Sequence, residues 1–166
     1  MRIRIRLPQV LAIVGVLALG AVGLALLAQY AFKMEPCPWC VLQRLIYVVV
    51  GVLALLGAAL SRAPRGLAVV LALLGTLSGI ASALWQQLHA INEASCDLTL
   101  ADRIIAKLQL DRLLPDVFEA RASCADAAVA ILGIPFAVWS CILFVILALL
   151  LAWSLRTALK PARPRY

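Results

Sequence analysis

Cys37-Pro38-Trp39-Cys40 is the stretch of this sequence best equipped for chemistry. Two thiols with two residues between them can close to a disulfide or exchange with another one, and Pro38 suits the first position of a helix starting there. At a helix N-terminus, unpaired N–H groups and the positive end of the dipole favour the thiolate, so at least one of the two is expected to be reactive. An inert structural disulfide and half of a metal site are the competing readings of the same spacing.

Arg44 follows Cys40 by four residues, on the same face of such a helix and about one turn into an apolar stretch. An arginine is costly inside a membrane. Its guanidinium stays charged and offers several donors, which suits it to hold a thiolate or a reduced quinone oxygen as the anion. The alternative is an interfacial arginine reaching for lipid headgroups. Gln43 beside it is suited equally to a quinone carbonyl or to a neighbouring helix. A second pair, Cys96 and Cys124, is separated by 27 residues. A bridge closing so long a loop stabilises by about 3 to 4 kcal/mol in the chain-entropy model, which fits a structural disulfide. Exchange is the other reading, because a polar loop beside a reactive pair in an oxidising compartment makes a relay of two dithiols. Zinc is a poor match to this spacing, so no metal is expected. His89, the one histidine, follows Gln86 and Gln87 at the end of an apolar run, where it can orient a quinone, supply a proton or act as scaffold. Cys141 lies within another apolar run and reads as an inert buried thiol.

The elements that position these residues belong to a membrane protein. The chain is 65% apolar and 14% charged over 166 residues, far from soluble composition and short enough for one domain, 1–166. Four runs reach the length of about 20 residues that a membrane helix needs: 9–31, 41–60, 67–89 and 127–154. The expected fold is all-α, an integral membrane four-helix bundle, with connections at 32–40 and 61–66 and a long polar loop over 90–126. A signal peptide is the competing reading of the first run, which is long for one. Within the loop, Leu100, Ile104, Ile105, Leu108, Leu113 and Leu114 alternate with charges, predicting a short amphipathic helix on the membrane surface that ends at Pro115. It either tethers a mobile loop or caps the bundle. Gly133 and Pro135 predict a kink or a delayed helix start in the fourth span, just before Trp139. Tyr30, Phe32, Trp39, Tyr47 and Trp85 fit an interfacial aromatic belt or packing between helices.

The net charge of +7 comes from segregated bases. Arg2, Arg4, Arg6, Arg62, Arg65, Arg156, Lys160, Arg163 and Arg165 flank the spans on one side with no acid among them, whereas the 90–126 loop carries seven acids against four bases. By the positive-inside rule both termini face the cytoplasm and both cysteine-bearing loops face outward. The excess is a topology signal and not a nucleic-acid footprint.

Taken in order, Cys37-Pro-Trp-Cys40, Arg44, His89, Cys96 and Cys124 on four spans resemble the DsbB family of disulfide-bond formation proteins across essentially the whole chain. The similar vitamin K epoxide reductase family places its loop cysteines before the C-x-x-C, and here they follow it. The resemblance implies a disulfide oxidoreductase of the bacterial inner membrane with periplasmic redox loops. A reduced thioredoxin-like DsbA partner would attack the Cys96–Cys124 disulfide at Cys96. Electrons would then pass to the Cys37–Cys40 disulfide, and from Cys40 to ubiquinone or menaquinone held near Arg44 and His89. DsbA is a strong oxidant, at about −120 mV, so its reoxidation needs the driving force of a quinone.

Overall fold

The computed structural model describes residues 7–90, 99–127 and 129–159. Four helices are long and apolar enough to cross a membrane, and the chain is a membrane protein of the all-α class: α1 (Leu7–Phe32), α2 (Pro38–Ala59), α3 (Arg62–Leu88) and, last in the chain, α7 (Phe136–Leu159). Each packs on the next, and α7 returns to α1, so they close into a bundle. The core between them is small and interlocking: Leu11, Val14 and Ala18 of α1, Val50 and Ala54 of α2, Val69 and Ala72 of α3, and Phe144, Leu147 and Leu151 of α7. Large apolar side chains such as Leu24, Leu74 and Leu149 point outward, which is stable where the surroundings are lipid.

Both ends of α2 are fixed by specific groups. Cys37 is its N-cap and Pro38 occupies the first turn, where a missing N–H leaves nothing unsatisfied. At the far end, Arg65 of α3 donates from Nε to the Gly57 carbonyl, 2.9 Å, and from a terminal nitrogen to the Leu60 carbonyl, 2.6 Å. Those acceptors lie where a helix runs out of its own donors. This also explains why α3 begins at Arg62, several residues before the run at 67–89.

Two sequence expectations are corrected. The amphipathic stretch is three short pieces, α4 (Leu100–Lys107), α5 (Leu110–Leu113) and α6 (Pro115–Phe118). Thr99 and Asp102 form a capping box that starts α4, and Gln109, at φ 54°, breaks the chain between α4 and α5. Pro115 does not end a helix; it opens α6 as a first-turn proline. These pieces lie over the cysteine end of α2, where Ile105 and Phe118 bury against Val41, while Leu108, Leu113 and Leu114 stay exposed. The fourth span starts nine residues later than 127. A two-residue antiparallel pair, β1 (Ala130–Ile131) with β2 (Ile134–Pro135), precedes α7. Its turn places Leu132 and Gly133 at φ 55° and 77°, the paired left-handed geometry of a type I′ hairpin, so the delayed start foreseen at Gly133 and Pro135 takes the form of a hairpin.

The tightest interhelical approach involves Gly79 of α3. Any side chain there would run into the Phe144 ring, which itself stacks on Tyr47 with centroids 4.0 Å apart and planes 4° from parallel. Gly79→Val is therefore expected to lower stability by about 1–3 kcal/mol, the usual cost of overpacking. Gly23→Ala, where an added Cβ meets nothing within 4 Å, should be neutral or slightly stabilising. Thermal midpoints of the two variants in the same detergent check this; equal midpoints would show that α3 and α7 do not pack as described.

Candidate functional site

Cys37 and Cys40 face each other across the first turn of α2. Their sulfurs are 2.8 Å apart, and the Cys40 N–H points at Cys37 Sγ, 3.4 Å away. Cys37 is fully buried and Cys40 half-buried. The long loop brings Cys124 to the same place: its buried side chain hydrogen-bonds Cys37, and the Trp39 N–H adds a second donor. The hydrogen bond from Cys37 draws the Cys124 thiol below its ordinary value, against the opposing effect of burial. Cys37 moves the other way, because it donates to Cys124 and Cys40 and because it is buried. Three sulfurs therefore lie in series, with Cys37 in the middle. Cys96 lies outside the described residues, and Cys141, half-buried in α7, is not part of the cluster.

Beneath the sulfurs lies a belt of buried polar side chains contributed by different helices. Arg44, 5% exposed, donates from one terminal nitrogen to Gln29 Oε1 of α1, 2.7 Å, and to the Val117 carbonyl of α6, 3.0 Å. It turns into the bundle and does not reach outward for headgroups. Gln43 donates to Gln86 Oε1 of α3 at 2.8 Å, and the Gln86 amide donates to Cys40 Sγ at 3.2 Å and to Cys37 Sγ at 3.4 Å. Tyr47 donates to the Ser140 carbonyl of α7, 3.0 Å. Tyr30 donates to the Asp116 carbonyl, 2.9 Å, so α1 and α2 both hold the α6 turn.

A cavity of about 200 Å³ opens beside this belt. Ala21, Leu24 and Ala25 of α1 and Leu143 of α7 form apolar walls. Cys40, Gln43, Arg44, Gln86, Glu35 and Tyr47 contribute polar groups to its lining. One sulfur of the C-x-x-C pair, Cys40, thus faces the cavity while the other, Cys37, faces the loop cysteine. His89 is not in the lining. It is exposed, and its ring lies against Trp85 with centroids 4.4 Å apart. The helical register that would have set it beside Gln86 ends at Leu88, and His89 leaves the helix with φ −123° and ψ −58°. Among the described residues, no three His, Cys, Asp or Glu side chains are disposed to share a metal ion.

The residues not singled out from sequence are Gln29, Gln86 in its contact with the sulfurs, and the Val117 carbonyl. Gln29 had one signal, an amide near the cysteine end of an apolar span; a backbone carbonyl has none.

A family model described as "Disulfide bond formation protein DsbB" matches residues 7–154. Disulfide bond formation protein B of Ralstonia nicotianae is 40% identical over 140 residues, covering 84% of this chain and 87% of its own. The protein of the same name from Cupriavidus metallidurans is 34% identical, over 86% of this chain and 89% of its own, and that from Pseudomonas syringae pv. tomato is 33% identical over 94% of each.

Arg44→Met keeps the volume of the side chain and removes its donors, leaving Gln29 Oε1 and the Val117 carbonyl without their bonds. Each such loss costs about 1–3 kcal/mol when buried. Faster amide exchange across Pro115–Phe118 together with a lower thermal midpoint is the expected result. Unchanged exchange in that turn would show that Arg44 does not hold the loop.

Proposed function

The chain belongs to the DsbB family of disulfide bond formation proteins, and from that premise we propose that it oxidises a thioredoxin-like, DsbA-type thiol partner and delivers the two electrons to a membrane quinone. The observation that carries this reading is the contact of Cys37 with Cys124 on one side and with Cys40, at the head of an apolar cavity, on the other. A path for thiol exchange and a site for a lipid-soluble oxidant meet at one residue pair.

In this reading Cys96 and Cys124 form the entry disulfide and Cys37 and Cys40 the second. A partner thiolate attacks Cys96 and breaks its bond to Cys124. The Trp39 N–H beside Cys124 suits it to leave as a thiolate. The freed Cys124 thiolate attacks Cys37 Sγ, forming the Cys37–Cys124 bond and releasing the Cys40 thiolate beside the cavity. The partner's second thiol then forms its own disulfide and releases Cys96, which closes on Cys124 and frees Cys37. The partner has lost two electrons, and Cys37 and Cys40 hold them as a dithiol.

The cavity residues fit a quinone ring of the ubiquinone or menaquinone type. The walls are apolar, and Arg44 and Gln43 carry donors suited to its oxygens. When bound, the quinone supplies the oxidising power, accepting two electrons and two protons. His89, which the resemblance places near the quinone, lies exposed against the Trp85 ring at the end of α3. The segregated bases support an orientation with both termini in the cytoplasm and the cysteine end of the bundle in the periplasm, which suits the bacterial inner membrane.

Mixing the purified protein and quinone with a reduced DsbA-type partner, and following quinone absorbance, tests the relay. Wild type turns over, Cys37→Ser and Cys96→Ser stall, and Arg44→Ala falls by about 10- to 100-fold, the worth of a charge-assisted hydrogen bond. Normal turnover by Cys96→Ser would remove the two-dithiol path. In a Cys96→Ser variant whose Cys37–Cys40 pair has been oxidised by quinone, the free Cys124 thiol should displace Cys40, and peptide mass spectrometry after alkylation should find Cys37 bonded to Cys124 with Cys40 alkylated. Finding Cys124 alkylated and Cys37 still bonded to Cys40 would break the proposed order.

A further inference from the structure

Gln43 and Gln86 are 4% and 7% exposed, in a bundle whose core is mostly apolar. A buried amide must be satisfied within the protein, and two facing amides can do this for each other. This pair does not stop there. Gln43 donates to Gln86 Oε1 at 2.8 Å, and that bond fixes which way the Gln86 amide points: with its oxygen held by Gln43, its nitrogen must face the sulfurs. An amide nitrogen carries two hydrogens, and two sulfurs lie in front of it, Cys40 at 3.2 Å and Cys37 at 3.4 Å. Arg44, the nearest fixed charge, directs its hydrogen bonds to Gln29 and Val117 instead.

We propose that Gln86, oriented by Gln43, is the hydrogen-bond donor that stabilises the reduced Cys37–Cys40 pair and so sets how oxidising that pair is. This rests on the relay described above and adds to it a residue on α3, outside the cysteine motif. The physical reason lies in what a sulfur can accept. A disulfide sulfur is neutral and a weak acceptor, whereas a thiolate is a strong one, and hydrogen bonds to charged groups are worth more than those to neutral groups. Reduction of the Cys37–Cys40 disulfide breaks one S–S bond and takes up two electrons and one proton, leaving one thiol and one thiolate. The partner dithiol supplies both electrons by way of Cys96 and Cys124 as it closes to its own disulfide and loses two protons, one to the pair and one to solvent. The Gln86 amide gains strength only on the reduced side of this exchange. Because it spans both sulfurs, it serves whichever of them bears the charge, as a fixed cation beside one sulfur would not. Stabilising the reduced form is the way a dithiol couple becomes a stronger oxidant.

The test uses full-length protein in detergent, free of quinone and partner. A background of Cys96→Ser and Cys124→Ser leaves the Cys37–Cys40 couple to be read alone. Each variant is equilibrated with dithiothreitol mixtures, trapped by alkylation and read by mass. Gln86→Met, close in volume but without donors, should shift the equilibrium toward the disulfide by about tenfold, or ~30 mV for a two-electron couple. Gln43→Met keeps the donor and removes what orients it, so it should shift the same way by less. An unshifted equilibrium in Gln86→Met with its thermal midpoint kept, or a shift toward the dithiol, overturns the proposal. Should Gln86→Met not fold, an unshifted Gln43→Met overturns it as well. Turnover with quinone and partner is measured separately in the unmodified cysteine background. Absence of turnover there would remove the relay and leave the role of Gln86 in the potential to stand or fall on the equilibrium.

Discussion

In a bundle surrounded by lipid, a buried guanidinium has to find its acceptors inside the chain, and Arg44 finds one on α1 and one on α6. Water is absent there and lipid tails offer nothing, so an unmet polar group costs several kcal/mol. The same constraint governs Gln43 with Gln86, and Tyr47 with Ser140. Each of these bonds joins two elements, so the polar belt works as the set of cross-links that holds α1, α2, α3, α7 and the loop in register at the cysteine end. The chemistry of the site and the architecture of that end are one set of interactions.

This arrangement separates two environments within a few ångströms. On the loop side, Cys37 and Cys124 share a hydrogen bond under the cover of Trp39 and α4. On the membrane side, Cys40 looks into a space walled by alanine and leucine. In the proposed relay a water-soluble protein and a lipid-soluble ring have no common solvent, and the first turn of α2 would put one sulfur toward each. The helix start is what makes this possible, because residues three apart in a first turn lie close enough for the sulfurs to meet while their outer faces diverge.

The sequence carried the large features plainly. Four apolar runs of membrane length specify four helices, and the C-x-x-C with Arg44 four residues on specifies one face of one of them. The hairpin before α7 was hidden because a short apolar run does not distinguish strand from helix by periodicity, and the Leu132-Gly133 turn is a weak signal amid such residues. Pro115 was misread because proline serves both to stop one helix and to start another. Within the site, the spacing of Cys37 and Cys40 announces itself, but the pairing of Cys37 with Cys124 depends on where a loop folds back, which no local pattern encodes. His89 shows the converse: its type and position were conspicuous, and a helix ending one residue earlier turned it onto Trp85.

The two clamps on α2 bear on how electrons can move. Arg65 grips the carbonyls of its last turn while Cys37 caps its first, and between them Tyr47 is held by Ser140 and stacked on Phe144. A helix so pinned acts as a stator. In the proposed relay, exchange between the sulfurs would then fall to rotation of individual cysteine side chains about χ1 and not to movement of α2, and such torsional hops are fast and leave the bundle packed as it is.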